Sequence, residues 1–283
     1  MHAQSAAGPH LHTAPDCQFT VEQRLHLDVK GYVVIEGFIS PSEVVVLRDA
    51  LGECEARFRR DGTRPLAPAF LSSSTPDNFR VDNLPHLAPC FHAYLSNPRL
   101  LGRVEEMVGH EVRLEQSDAH IRRPVAGSPD RYGFHRHSRL GLGSVERNGL
   151  YHFPFVKALT NLSDLGPDDG GTAVIAGSHK LPGHLDRVLV EASVRDPALI
   201  HRVVAPAGST LFFYESLIHS GGINRSGKDR PLVLGGYTPT LFQPQHGENP
   251  DPAFLATLSQ EHSDLYSGAR AWDGKERHRE LAY

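Results

Sequence analysis

The chain has 283 residues, a formal net charge of −4 and an isoelectric point near 6.5. Its hydrophobic content of 39% and charged content of 22% are ordinary for a globular protein, and its arginines form no basic stripe. No apolar run reaches the roughly 18 residues that a membrane-spanning helix needs. We therefore expect neither a nucleic-acid partner nor a membrane partner.

The first 19 residues lack the apolar segment of a secretory signal, and we expect residues 1–19 to form a disordered or loosely ordered tail. The three cysteines, Cys17, Cys54 and Cys90, are widely spaced, which predicts neither a zinc site nor a disulfide framework. This usage favours a reducing cytoplasm. We expect residues 20–283 to form a single domain.

Helix-capping side chains and helix-ending glycines occur in three places in the first part of this domain. They predict helices between Thr20 and Gly31, between Ser40 and Gly62, and between Asn97 and Gly109. The run YVVIEGFI (32–39) is β-branched and apolar, which indicates a strand. Residues 63–90 contain five prolines and no periodic pattern, so we expect a lid or binding loop there, and the tail after 241 is expected to help cover the substrate.

From residue 110 onward the pattern changes to short β-branched or alternating runs separated by Gly, Pro, Asp and Asn. The runs are EVRLEQSDAHI, YHFPFVKALTNL, GTAVIAG, HRVVAPAGSTLFFY and PLVLGGYT. Such a pattern is typical of an antiparallel sandwich or jelly roll. We expect an α+β fold that is mainly β, with the N-terminal helices packed on a barrel-like core.

The segment RYGFHRHSRL (131–140) places His135 and His137 one residue apart. A chain with 18 histidines in 283 residues contains about one His-x-His by chance, so this motif is weak evidence by itself. Residues i and i+2 of a strand point to one face, so these two imidazoles could bind one metal ion if the strand faced the interior.

A third metal ligand would have to come from elsewhere, and His219 is a candidate because it ends an apolar strand before a Gly-Gly turn. Arg230 follows eleven residues later, just before the run PLVLGGY. An arginine buried beside a metal is costly unless an anion neutralises it, and its guanidinium suits a carboxylate. The pattern suggests a small acid that chelates the metal at one end and pairs with Arg230 at the other.

The order of these features resembles the phytanoyl-CoA dioxygenase family of iron(II)/2-oxoglutarate oxygenases. The resemblance covers roughly residues 110 to 240 and rests on DLGPDDGGTAVIAGSHK and AGSTLFFYESLIHSGGINRSGKDRP. The interval from His219 to Arg230 matches the family spacing between the distal iron ligand and the arginine that binds 2-oxoglutarate. The resemblance implies a double-stranded β-helix, of the jelly-roll or cupin-like kind, with its core at about 110–240.

The resemblance also implies Fe(II) and O₂ as cofactors, 2-oxoglutarate as co-substrate, and an oxidation of a small molecule coupled to release of succinate and CO₂. Family members of this build often hydroxylate or oxidatively cyclise natural products, so a polar small-molecule substrate is expected, in a monomer or homodimer. The implied metal ligands are His135, His137 and His219, and Arg230 is the implied anchor of 2-oxoglutarate.

Weaker candidates follow from position along the same strands. Gln116 and His120 share one face of the strand LEQSDAHIR, and Thr160 lies on KALTNL, so all three are candidates for contact with 2-oxoglutarate. Three arginines near the expected mouth of the site suggest a polar or anionic substrate: Arg122, Arg136 and Arg139.

The sequence departs from the family at His137, which stands where the family usually has a carboxylate. Three interpretations stay open. His137 completes a three-histidine iron site, or it swings away and leaves a coordination position open, or the site is degenerate and the protein binds ligand without turnover. A fourth possibility is a cupin-type three-histidine dioxygenase that uses no 2-oxoglutarate, but the glutamate that follows the cupin motif is absent and Arg230 would have no role.

Overall fold

The computed structural model describes residues 12, 14–61, 77–124, 132–136, 145–147, 150–240, 242 and 250–267. The helices in these ranges are α1 (Val21–Lys30), α2 (Pro41–Asp61), α3 (Pro89–Leu95), α4 (Pro98–Val108), α5 (Asp186–Arg195), α6 (Pro252–Leu255) and α7 (Gln260–Ser267). The strands are β1 (Tyr32–Ile35), β2 (Asn78–Asp82), β3 (Val112–Arg122), β4 (Val145–Arg147), β5 (Leu150–His152), β6 (Val156–Asn161), β7 (Ala173–Ile175), β8 (Ile200–Arg202), β9 (Thr210–Tyr214), β10 (His219–Ser220) and β11 (Arg230–Pro239).

The predicted start of α1 is confirmed at the level of single hydrogen bonds. The Thr20 hydroxyl accepts from the backbone N–H of Gln23, and the Gln23 side chain accepts from the backbone N–H of Thr20. The helix ends at Gly31, whose φ of 85° lies in the left-handed region that glycine adopts without strain. Because α1 ends in this glycine turn, the chain passes directly into β1, which begins at Tyr32.

A six-stranded antiparallel sheet, which we call the major sheet, has the strand order β1-β9-β6-β11-β3-β2. A three-stranded antiparallel sheet with the order β10-β7-β8 is the minor sheet, and β4 and β5 form a separate pair. The described residues thus combine antiparallel sheets with helices, which agrees with the expected α+β class.

Two apolar clusters occupy the two faces of the major sheet. One joins that sheet to the helices and includes Phe212 and Val233, and the other joins it to the minor sheet and includes Leu211 and Leu234. Neighbouring residues of one strand therefore belong to different clusters, as the two-residue repeat of a strand requires. Because both faces are covered, β3 and β11 are buried along nearly their whole length.

Some expectations about individual segments were wrong. The strand expected over 32–39 ends at Ile35. Residues 63–90 were expected to be a loop, but β2 pairs with β3 along the edge of the major sheet and α3 begins at Pro89. Prolines dominate that stretch and obscure the five-residue strand NFRVD. Residues 62–76 and the tail from 268 lie outside the described residues.

Within the part of the chain that the structure describes, no helix has both the length and the apolar composition needed to cross a bilayer.

We predict that Glu105→Gln stabilises the fold at alkaline pH. Glu105 in α4 is 5% exposed and accepts from the backbone N–H of His12, and burial raises the pKa of its carboxyl to about 7. A raised folded-state pKa means that the wild type loses stability as pH rises from the unfolded pKa toward 7. Denaturant unfolding should show the Glu105→Gln variant gaining roughly 1–3 kcal/mol at pH 8 and little at pH 5. The neighbouring Glu106→Gln is the control, and equal effects of Glu105→Gln at both pH values would contradict the prediction.

Candidate active site

Two of the predicted metal ligands are brought together by a single pair of backbone hydrogen bonds. The N–H of His135 donates to the carbonyl of His219 and the N–H of His219 donates to the carbonyl of His135, both at 2.9 Å. Residues paired in this way across antiparallel chains carry their side chains on the same face. The imidazole ring centroids accordingly lie 4.5 Å apart, although the residues are 84 positions apart in sequence.

Backbone carbonyls fix the orientation of both rings. Nδ1 of His135 lies 2.8 Å from the carbonyl oxygen of Gly133, and Nδ1 of His219 lies 2.8 Å from that of Leu217. A carbonyl only accepts, so each Nδ1 must carry the proton and each Nε2 keeps its lone pair. This is the tautomer in which a histidine binds metal through Nε2, with its other nitrogen held by a protein acceptor.

Burial keeps the His219 imidazole neutral. Burial lowers its pKa to about 4, and the nearby cation Lys157 acts in the same direction, while Glu215 opposes them. At neutral pH a metal ion would therefore not have to displace a proton from His219.

An acidic residue that the sequence analysis did not consider lies beside His219. Glu215 is 4% exposed, its Oε2 lies 3.8 Å from Nε2 of His219, and the same oxygen lies 3.0 Å from Nζ of Lys157 on β6. The buried carboxylate and the buried ammonium therefore neutralise each other within reach of the histidines. The only sequence signal is one glutamate inside the apolar run LFFYESLI.

These histidines line a cavity of about 200 Å³ between the major and minor sheets. The register of β3, β11 and β6 sets the order of side chains on the cavity wall. At one end of the wall Arg122 pairs in register with Arg230. Two residues further along these strands, His120 pairs with Leu232. Lys157 lies at the opposite end of the wall, across from Gly236.

Arg230 is a buried cation without a carboxylate partner in the described part of the chain. It is 2% exposed, and its guanidinium donates to the carbonyl of Gly170 at 2.5 Å, to Oγ1 of Thr172 at 3.2 Å and to Oδ1 of Asn161 at 3.4 Å. Its Nε has no hydrogen-bond partner there. Burial, and then the charge of Arg122, lower its pKa to about 9, so it remains a cation at neutral pH. The arrangement suits an anion supplied from the cavity.

Gln116 and His120 lie on the cavity wall, as the sequence predicted for one strand face. Nε2 of Gln116 donates to Asp118 at 2.8 Å, and Nδ1 of His120 lies 3.3 Å from Oδ1 of Asn78. Asp118 also forms an ion pair with Arg80 of β2. Burial raises the pKa of Asp118, but His120 and then Arg80 outweigh burial and hold the pKa below its usual range. The wall thus contains a permanent carboxylate that the sequence analysis missed.

Two weaker candidates lie away from the cavity. Thr160 is on the opposite face of β6, where its hydroxyl contacts the hydroxyls of Tyr94 at 2.8 Å and Thr210 at 2.5 Å. Arg136 forms an ion pair with Asp186 and donates to three backbone carbonyls, those of Ser178, Leu181 and Ser216. Thr160 and Arg136 are therefore not part of the proposed site.

Two other candidates, His137 and Arg139, lie outside the described residues. Within the described ranges, no group of three or more His, Cys, Asp or Glu residues forms a metal site. The structure provides two adjacent Nε2 lone pairs on a cavity whose wall also carries Arg122 and Arg230, two cations that form no ion pair within the described residues. Such a cavity can hold a metal ion together with an organic anion.

A protein-family model described as phytanoyl-CoA dioxygenase (PhyH) matches residues 27–232. The ectoine dioxygenase of Bordetella bronchiseptica is 26% identical over 251 residues, which cover 80% of this chain and 79% of that protein. The Fe(II)/2-oxoglutarate-dependent dioxygenase nvfF of Aspergillus novofumigatus is 25% identical over 222 residues, which cover 74% of this chain and 70% of that protein.

Solved structures with the same fold include HygX from Streptomyces hygroscopicus with nickel and 2-oxoglutarate bound. It is 26% identical, with a TM-score of 0.65, over 80% of this chain and 89% of HygX. A second HygX structure, which also holds hygromycin B, is 25% identical with a TM-score of 0.61 over the same shares. The carbocyclase SnoK from nogalamycin biosynthesis, at 20% identity and a TM-score of 0.59 over 94% of this chain and 98% of SnoK, supports the fold alone.

We predict that threonine-to-valine substitutions at Thr160 and Thr172 have different effects, because Thr160 faces the helix-side core and Thr172 contacts Arg230. Thr160→Val removes a hydroxyl from the helix-facing core, and we expect a loss of about 1–2 kcal/mol in the free energy of unfolding without a change in 2-oxoglutarate affinity. Thr172→Val removes a hydrogen bond to Arg230, and we expect weaker 2-oxoglutarate binding. Calorimetry and denaturant unfolding of both variants test this, and weaker binding by the Thr160→Val variant would contradict it.

Proposed function

Because the chain belongs to the phytanoyl-CoA dioxygenase family, we propose that it is an Fe(II)/2-oxoglutarate-dependent oxygenase that hydroxylates or oxidatively cyclises a polar small molecule. The observation that carries the proposal is Arg230, a buried guanidinium with no carboxylate partner in the described residues. A dicarboxylate that reaches both Arg230 and the paired histidines would neutralise it.

Relatives support the proposed chemistry and the kind of substrate. HygX has been solved with nickel, 2-oxoglutarate and hygromycin B bound, and its identity to this chain is 25–26%. The curated relatives include an ectoine dioxygenase and an Fe(II)/2-oxoglutarate-dependent dioxygenase. The cavity wall of this chain carries the charged side chains Arg80 and Asp118, which also favour a polar substrate. On this basis the proposed reaction belongs to natural-product biosynthesis.

The residues of the site fit the cofactor that the family implies. His135 and His219 are proposed to hold Fe(II) through Nε2, because both Nδ1 atoms are occupied by backbone carbonyls. His137 is proposed as the third protein ligand. Fe(II) held there would supply the oxidising chemistry, with 2-oxoglutarate and O₂ as co-substrates and succinate and CO₂ as products.

The remaining residues position the organic molecules. Arg230 holds the far carboxylate of 2-oxoglutarate through its guanidinium, which Gly170, Thr172 and Asn161 orient from behind. Gln116 and His120 are proposed to contact 2-oxoglutarate from β3. Apolar side chains on the wall, among them Leu232 and Leu234, reduce the access of water to the reacting groups.

The activity test measures succinate release by the protein with Fe(II), ascorbate and 2-oxoglutarate, in the presence and absence of polar candidate substrates. We expect slow succinate release that a true substrate accelerates. Oxygen uptake that proceeds without 2-oxoglutarate would contradict the proposal and favour a cupin-type dioxygenase. Tight binding of 2-oxoglutarate with no succinate from any candidate would instead favour a non-catalytic binder.

We predict that Arg230→Met weakens 2-oxoglutarate binding by about 30-fold or more, since a buried charge pair is lost. Calorimetric titration of nickel-loaded protein with 2-oxoglutarate measures the change. Arg123→Met is a suitable control, because Arg123 pairs with Glu55 at 2.7 Å rather than facing the cavity. Unchanged affinity in the Arg230→Met variant would contradict the assignment.

We predict that His137→Ala lowers metal affinity, whereas His137→Asp retains metal binding and retains or raises 2-oxoglutarate decarboxylation. Aspartate restores the carboxylate that the family usually has at this position. Cobalt(II) titration followed by absorption spectroscopy measures affinity without relying on activity. Wild-type metal affinity in the His137→Ala variant would show that His137 is not a ligand.

A further inference from the structure

The cavity contains a second arginine whose position is explained by no other residue that the structure describes. Arg122, the last residue of β3, is paired in register with Arg230, the first residue of β11. Like charges directly opposite each other on antiparallel strands are destabilising. Both side chains line the same cavity. Two cations at this point of the sheet therefore require an anion between or beside them.

The described carboxylates do not supply that anion. Asp118 forms its ion pair with Arg80, and no carboxylate of the described residues lies within ion-pair distance of Arg122. The Nε of Arg122 has no hydrogen-bond partner in this part of the chain. Burial lowers the pKa of Arg122, Arg80 acts in the same direction, and the attraction of Asp118 and Asp77 only partly offsets them. The guanidinium is thus withdrawn from water without being neutralised.

A glycine makes room for this guanidinium next to the distal histidine. A Cβ atom at Gly221 would lie 1.6 Å from Nη1 and 2.5 Å from Cζ of Arg122. Gly221 directly follows β10, two residues after His219. The Arg122 side chain therefore reaches from β3 of the major sheet to the backbone just after β10 of the minor sheet.

We propose that Arg122 is a second guanidinium for the far carboxylate of 2-oxoglutarate, seated against Gly221; this inference rests on the proposed function. A carboxylate has about four lone-pair sites and so can accept from two guanidinium groups at once. The pair Arg122 and Arg230 then binds the co-substrate as a clamp, and the co-substrate removes the repulsion between the two cations. This role differs from the contact with an anionic substrate that the sequence alone suggested for Arg122.

The test compares two ligands that differ only in the far carboxylate. Calorimetry on the nickel-loaded full chain measures the affinity of 2-oxoglutarate and of 2-oxopentanoate, which has the same length and no far carboxylate. In Arg122→Met we expect 2-oxoglutarate affinity to fall by about tenfold or more, as for loss of a charged hydrogen bond. The affinity of 2-oxopentanoate should stay within about twofold of wild type, because its tail makes no charged contact.

Gly221→Ala tests the same clamp without altering a charge. Its Cβ would occupy the place of the Arg122 guanidinium, so we expect the same selective loss of 2-oxoglutarate affinity. Arg123→Met is the matched control, since it removes a neighbouring arginine that pairs with Glu55. Circular dichroism verifies that each variant is folded, and Arg122→Gln, which also removes the charge, takes the place of Arg122→Met if the latter does not fold.

The outcomes separate this inference from the proposed function. If wild-type protein fails to bind 2-oxoglutarate, or if Arg230→Met has no effect, the proposed function itself is contradicted. If Arg230→Met weakens 2-oxoglutarate binding but Arg122→Met leaves the affinity within about twofold of wild type, only the clamp is overturned. Equal losses for 2-oxoglutarate and 2-oxopentanoate in the Arg122→Met variant would also overturn it, because the effect would not involve the far carboxylate.

Discussion

Burial of positive charge without a neighbouring negative charge is the constraint on which the rest of this site depends. Arg230 is 2% exposed, and within the described residues its guanidinium donates to neutral acceptors only, while the charged side chain that shifts its pKa is another arginine, Arg122. Removing such a cation from water costs several kcal/mol unless an anion compensates it. In the proposed function the far carboxylate of the co-substrate relieves this cost, which would link co-substrate binding to stability.

The antiparallel register converts distant sequence positions into one ordered surface. β3, β6 and β11 come from separate parts of the chain, yet their pairing places Arg122 beside Arg230 at one end and Lys157 across from Gly236 at the other. The proposed metal ligands His135 and His219 are brought together separately, by the backbone hydrogen bonds between them. In the proposed site, an extended dicarboxylate between Arg230 and these histidines would contact the cation with one group and the metal with the other.

The sequence predicted the placement of residues whose position follows from local spacing. The Thr20 capping box, the strand at 112–122 and the face shared by Gln116 and His120 all depend on near neighbours, and each lies where expected. Thr160 is the exception. A shift of one position along a strand moves a side chain to the other face of the sheet, and the Thr160 hydroxyl contacts Tyr94 of α3 and not the cavity.

The ion pairs of the cavity could not be predicted in the same way. Lys157 and Glu215 are 58 residues apart, and Arg80 and Asp118 are 38 residues apart, so their contacts depend on strand register and not on any local pattern. β2 was itself hidden in a proline-rich stretch, which removed Arg80 from consideration. Arg136 was a candidate for substrate contact because of its position beside His135. Its guanidinium instead pairs with Asp186, 50 residues away in sequence.

The most direct measurement is a crystal structure of the protein with Fe(II) and 2-oxoglutarate, prepared without oxygen. The account predicts iron bonded to Nε2 of both His135 and His219, with the far carboxylate of 2-oxoglutarate against the Arg230 guanidinium. Iron bound away from this histidine pair, or a 2-oxoglutarate carboxylate that leaves Arg230 without an anion, would contradict it.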